Sequence, residues 1–201
     1  MIKDWCGYWL KAPLRWWRTR GFGIHSPFAF CFVSEVLRER YAYYAYERIG
    51  RLVAESGRDD RLSFSGAKTL FRIAARLDCR EAVLAGYVNN SAVAGIMSLV
   101  RKNMPVLQLK GHVKPVGCNA IMIVESVEDS TPVAAQAIGV LDKQGVVIVR
   151  NLARSEKCRD VEQRIVSAMT DHGAQFCNGR STVFVGLRYL QPQRFNVNLP
   201  F

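Results

Sequence analysis

The stretch Arg80–Leu99, REAVLAGYVNNSAVAGIMSL, decides how the chain is read. An apolar run, Ala82 to Ala85, stops at Gly86 and is followed by polar Asn89, Asn90 and Ser91. Ala92, Val93, Ile96 and Met97 then recur at helical spacing. The pattern predicts a strand, a tight turn and a helix. An open α/β sheet often begins its ligand site this way, because glycine lets the backbone come close and the new helix presents unpaired N–H groups. Only one glycine stands where such turns usually carry two or three. Gly86, Asn89 and Asn90 are therefore candidate ligand contacts on a thinly equipped turn, although Asn is also an ordinary turn and cap residue.

Working outward, further strands are predicted at Pro105–Leu109, Ala120–Val124 and Val146–Val149. The last two are continuous apolar runs, as expected of parallel strands covered on both faces. Thr131–Leu141 is apolar at helical spacing between them, which makes a βαβ unit. Helices are expected at Lys68–Arg76 and Cys158–Thr170. Gln175–Cys177, Asn178-Gly179 and Ser181–Leu187 read as a closing hairpin, since Asn-Gly favours a tight turn. The fold class is thus α/β, with a mostly parallel sheet, the Ala82–Ala85 strand central and the hairpin at one edge. The polar stretch Ser56–Arg61 divides a helical cap, residues 1–60, from the α/β part, residues 61–201.

The 201 residues, 49% hydrophobic and 22% charged, suffice for one sizeable core. A net charge of +11 suits an anionic partner, but Arg and Lys are scattered, often beside acids, as on a solvated surface. The six cysteines lie far apart and form neither a Cys-x-x-Cys pair nor a His-spaced cluster, so reduced and mostly buried thiols are expected, with no metal. No run is long enough to span a bilayer, and Lys11, Arg15 and Arg18 interrupt any leader-like apolar stretch. A cytoplasmic location is expected.

Residues 1–20 interleave Trp5, Tyr8, Trp9, Trp16 and Trp17 with Lys11, Arg15, Arg18 and Arg20. Such a segment suits an anionic membrane surface or nucleic acid, but its aromatics are expected to pack on the domain, because Pro13 interrupts a continuous amphipathic face. Ser26 is a predicted N-cap with Pro27 at the first helical position, opening a helix to about Arg40. His25 beside it is a candidate base, with a structural role the plainer reading. Tyr41, Tyr43, Tyr44 and Tyr46 are expected to form an aromatic seam against the core.

Four segments carry a resemblance: GFGIHSPFAF (21–30), YYAYERI (43–49), AKTLFRIAARLDCREAVLAG (67–86) and QPQRFNVNLPF (191–201). Together they resemble a bacterial, Bacteroidetes-type group of class I S-adenosylmethionine-dependent methyltransferases. In that group a Gly-Ile-His-Ser-Pro-Phe helix leads into a Rossmann-like domain, and a short Phe-containing tail ends the chain. The resemblance implies S-adenosylmethionine as cofactor, held by a glycine-rich turn, a carboxylate for the ribose and an apolar slot for adenine.

The residues at those places differ. The first turn has one glycine and no acid, with Tyr87 and Val88 crowding it. Lys110-Gly111-His112 follows the second strand where a carboxylate is expected. A helix, a strand and a further helix are missing there, since only about nine residues, Lys110 to Cys118, lead to the next strand, short of the dozen or so usual for a parallel crossover. Glu125 matches a carboxylate at a strand end, but Arg150-Asn151 replaces acids, and no metal is expected. Gly86, Asn89, Asn90 and Glu125 remain as candidate cofactor contacts, and no catalytic residue is assigned. The expected function is a degenerate methyltransferase-like binding or scaffold protein, shortened within its sheet, whose partner is another protein or a second copy. The alternatives are a methyltransferase with an altered cofactor site and a basic nucleic-acid or membrane-surface binder.

Overall fold

A computed structural model describes residues 11–56, 62–86, 91–109 and 112–201. Seven strands form one mixed sheet: β1 (Glu81–Ala85), β2 (Val106–Leu109), β3 (Ala120–Val124), β4 (Val146–Val149), β5 (Ala174–Cys177), β6 (Thr182–Val185) and β7 (Gln193–Asn196), in the order β2-β1-β3-β4-β6-β5-β7. The pairs β2–β1, β1–β3, β3–β4 and β5–β7 are parallel, and β6 runs antiparallel to both neighbours. A mostly parallel α/β sheet is therefore present.

Two expectations about its edges need correction. The 82–85 strand is interior but lies only one place from the β2 edge. The hairpin is not an edge, because β7, read from sequence as tail, adds outside β5. One apolar residue fixes β7: Phe195 stacks on Phe176 at 5.3 Å between centroids, and Phe176 stacks on Phe32 at 4.5 Å. The Asn178-Gly179 turn itself is as predicted. Asn178 Oδ1 accepts the N–H groups of Arg180 and Ser181, both at 2.8 Å, and Gly179 has φ +85.

Strand alternation sends two sets of side chains to opposite faces. Leu84, Ile123, Ile148 and Val183 face a thick layer built by α4 (Phe64–Arg76), α5 (Ser91–Val100) and the chain before residue 60. Val83, Met122, Val147 and Phe184 face a thinner layer of α6 (Ser130–Asp142) and α7 (Glu156–Ala168). The first part of the chain contributes α1 (Ala12–Arg18), α2 (Pro27–Cys31) and α3 (Ala45–Glu55). Its Phe32, Val36 and Ile49 belong to the same apolar cluster as the sheet.

Polar caps set the helix starts. Ser26 Oγ accepts Ala29 N–H, Ser63 Oγ accepts Gly66 N–H and Ser155 Oγ accepts Cys158 N–H. The helix opened by Ser26 does not stay α-helical to Arg40. It passes into π-helical turns at Phe32–Leu37 and stops there. Such turns are uncommon and concentrate at functional sites.

The short link after β2 does make a parallel crossover, contrary to expectation. The return over a four-residue strand is ~13 Å and the sideways step past β1 ~10 Å, which ten extended residues at ~3.3 Å each can cover without a helix. Along 112–118 the chain is held on the α6 side. Lys114 N–H donates to Gln136 Oε1 at 2.6 Å, Gln136 Nε2 returns a bond to Lys114 O at 3.0 Å, and Val116 is buried.

The two N-terminal aromatics among the described residues, Trp16 and Trp17, also depart from the expected packing. Helix α1 turns Arg15 and Thr19 inward, where Thr19 Oγ1 accepts Asn198 N–H at 2.8 Å. Trp16 and Trp17, on the other side of that helix, are 52% and 53% exposed. Trp5, Tyr8 and Trp9 lie outside the described residues. Of the tyrosine seam, Tyr43 packs on Tyr46 and Phe71 while still 37% exposed, and Tyr41 and Tyr44 are far more exposed.

Candidate functional site at the strand ends

The strand order reverses between β1 and β3, where open α/β sheets place ligands beyond the carboxyl ends of the strands. The register aligns Leu109, Ala85, Val124 and Val149 as the last row. Gly86, Glu125 and Arg150 therefore begin the next row side by side, and the ladder extends into it. Glu125 N–H donates to Ala85 O at 3.1 Å and Arg150 N–H to Val124 O at 2.8 Å.

Gly86 has φ +77, a conformation that L side chains rarely adopt. A Cβ placed there would lie 1.4 Å from Ser126 O and 2.3 Å from Ser126 C. The close backbone approach that the sequence suggests for a ligand is here taken by the chain's own loop after β3. Gly86 thus serves both its left-handed turn and the seating of Ser126.

Glu125 is enclosed. Its side chain is 11% exposed and that of Arg150 6%, with Arg150 Nη1 3.2 Å from Glu125 Oε2. Asn151 Nδ2 donates to Glu125 O at 3.1 Å, and the Cys158 thiol donates to the same carbonyl at 3.4 Å. Asn151 reaches this position with φ +60, which Asn tolerates better than most residues. Burial pushes the Cys158 thiol above its ordinary range, and the Glu125 carboxylate adds to that. The strand-end carboxylate is held by an arginine, an amide and the fold.

Asn89 and Asn90, the other two candidate contacts, lie outside the described residues, as do Tyr87, Val88 and Lys110. The structure brings Gly86 and Glu125 together, side by side just past the ends of neighbouring strands. Arg150, read from sequence only as a charge reversal, is their missing partner. The apposition of 125 and 150 after neighbouring parallel strands was the available signal.

His25 and His112 are exposed. Among the described residues no group of three or more His, Cys, Asp and Glu is placed to hold a metal ion. Cys31, Cys79, Cys118, Cys158 and Cys177 are free thiols, three of them buried. No described helix is long and apolar enough to cross a membrane.

No protein-family model matches the chain, and no curated protein sequence matches it. The class defined by the fold is an α/β protein with a seven-stranded, mostly parallel mixed sheet.

Proposed function

We propose that this chain is a methyltransferase-like protein of Rossmann-like architecture whose S-adenosylmethionine site is degenerate, and that it acts as a non-catalytic binding or scaffold protein. The observation that carries the reading is the seating of the Ser126 backbone against Gly86, the one glycine of the turn, where a Cβ would lie 1.4 Å from Ser126 O. The buried Glu125–Arg150 pair supports it, since that carboxylate is already neutralised at 3.2 Å. The ten-residue link between β2 and β3 supports the shortened sheet, as it leaves no helix, strand and helix beyond β2. A working methyltransferase on this frame needs Ser126 to withdraw from Gly86 and Glu125 to leave Arg150. Titration calorimetry with S-adenosylmethionine and S-adenosylhomocysteine tests the reading. Absence of saturable heat supports it, and a micromolar dissociation constant for either compound overturns it.

A second reading, a surface for anionic lipid, is favoured by the aromatics of the N-terminal segment. Trp16, Trp17, Phe22 and Phe30 are all exposed large side chains, and Phe30 lies against Gly21. No acid occurs from residue 11 to residue 34, whereas Lys11, Arg18 and Arg20 do. Lipid suits this patch better than nucleic acid. One face of Trp17 is stacked on Phe22 at 5.2 Å, and Arg20 covers Trp16 at 3.5 Å, so bases find these ring faces partly taken. Cosedimentation with phosphatidylserine vesicles, lost on Trp16→Ala with Trp17→Ala and weakened by salt, supports it. Equal recovery with and without vesicles contradicts it.

A further inference from the structure

On the thick face of the sheet a second arginine is buried under different terms. Arg72, on α4, is 7% exposed. Its Nε donates to Val36 O at 2.6 Å, Nη1 to Tyr46 Oη at 2.7 Å and Nη2 to Thr69 Oγ1 at 2.7 Å. All three acceptors are neutral. A guanidinium carries five N–H donors, so two remain, one on each terminal nitrogen. No carboxylate among the described residues lies within ion-pair distance of it.

Arg72 forms part of the wall of an open cleft of about 410 Å³, in the size range of small-molecule sites. The cleft lies between the π-helical turns and α4. Val36 and Phe71 supply apolar wall, and Tyr43, edge-on to Phe71 at 6.1 Å, extends it. Among the described residues, one of the two acids of the cleft is paired with an arginine and the other meets only a backbone N–H. Glu35 faces Arg76 at 3.6 Å, and Glu39 Oε1 accepts Tyr41 N–H at 2.8 Å. Their charge is still felt, because burial first and then Glu39 raise the Tyr43 hydroxyl above its ordinary 10.0, with Glu35 adding to it and Arg72 opposing. Tyr43 therefore stays a hydrogen-bond donor at neutral pH.

A buried cation without a counter-ion is costly, and a guanidinium with N–H groups to spare suits a carboxylate. The same cleft offers negative charge and aromatic surface toward its acidic side. We propose that it binds a small zwitterionic carboxylate of the α-amino acid class. The carboxylate meets Arg72, the ammonium faces Glu39, and an apolar side chain lies on Val36 and Phe71. A simple anion would leave Glu39 without a cation, and a simple amine would leave Arg72 without a counter-ion. The cleft uses no residue of the strand-end row, so this proposal stands apart from the reading of that row.

Titration of the full chain with L-phenylalanine and L-leucine, followed by ligand-observed NMR, tests it. Phenethylamine, 3-phenylpropionate and inorganic phosphate are run as partial mimics. Saturable binding of at least one amino acid, at least tenfold tighter than either half-mimic, is expected. Arg72→Lys should weaken it at least tenfold, because a point charge replaces a fork. Glu39→Gln should weaken the amino acid severalfold and leave 3-phenylpropionate unchanged. If Arg72→Lys fails to fold, as judged by circular dichroism, Glu39→Gln and the mimic series on the unaltered chain decide. No saturable binding of either amino acid, an amine that binds as tightly, or phosphate that binds as tightly overturns the proposal.

Discussion

Arg150 and Arg72 are both buried, yet their surroundings differ in kind. Arg150 follows a strand and meets Glu125 at 3.2 Å, in a row where Asn151 and Cys158 hold the Glu125 carbonyl and the Ser126 backbone lies against Gly86. Arg72 is clamped by a carbonyl and two hydroxyls and keeps part of its donor capacity beside a cleft. The difference separates finished structure from available chemistry. Position in the fold would have suggested the reverse, since the strand ends at an order reversal are where α/β sheets usually bind ligands.

The sharpest way to break this comparison is to remove one partner of the closed pair. Glu125→Ala removes the carboxylate that faces the buried Arg150 charge, and is expected to cost ~3–5 kcal/mol in urea unfolding. Replacing both members with apolar residues, Glu125→Leu with Arg150→Met, should recover most of that loss. Full stability after Glu125→Ala alone would mean that the pair is dispensable and the row less closed than described.

Gly86→Ala comes next. It forces a side chain into φ +77 and against Ser126 backbone, strain and overpacking that together cost about 2–4 kcal/mol. Substitutions at Gly86 thus perturb the fold before they report on any ligand.

Arg72→Met should be milder, about 1–3 kcal/mol, because it strips neutral acceptors of their donor without leaving an unpaired charge. A loss as large as that for Glu125→Ala would show that Arg72 depends on a charge partner, and would erase the distinction between the two arginines.

The smallest effect concerns pH. Cys158 titrates above its ordinary 9.0 in the folded chain, mainly through burial. The unfolded thiol loses its proton first, so this contribution is whole below about pH 9 and declines as pH rises beyond it. Cys79, pushed up to about 12 by burial, acts in the same direction. Melting curves should therefore fall in midpoint above about pH 9, and Cys158→Ala should flatten only part of that slope.

The central elements were legible because their signals are local. Ala120–Val124 and Val146–Val149 are unbroken apolar runs and form strands with those bounds. Ser26 announced its helix by its cap, and Asn178-Gly179 its turn. What escaped rests on distant contacts. Strand β7 has only Phe195 to declare it, and that ring acquires meaning through Phe176. The outward Trp16 and Trp17 go with Arg15 turned inward and Thr19 bonded to the tail, a partner 179 residues away. Gly86 was recognisable as a place of close approach, but its neighbour Ser126 lies beyond two intervening strands and a helix in sequence. Arg72 sits between Phe71 and Ile73 in an amphipathic pattern, where a single cation reads as surface until its three acceptors are known.

The most direct test of the closed row is calorimetric titration of the unaltered chain with S-adenosylmethionine. The account predicts no saturable heat up to about 1 mM cofactor, corresponding to less than ~4 kcal/mol of binding free energy. A micromolar dissociation constant, accompanied by altered NMR signals at Gly86 and Glu125, would contradict it.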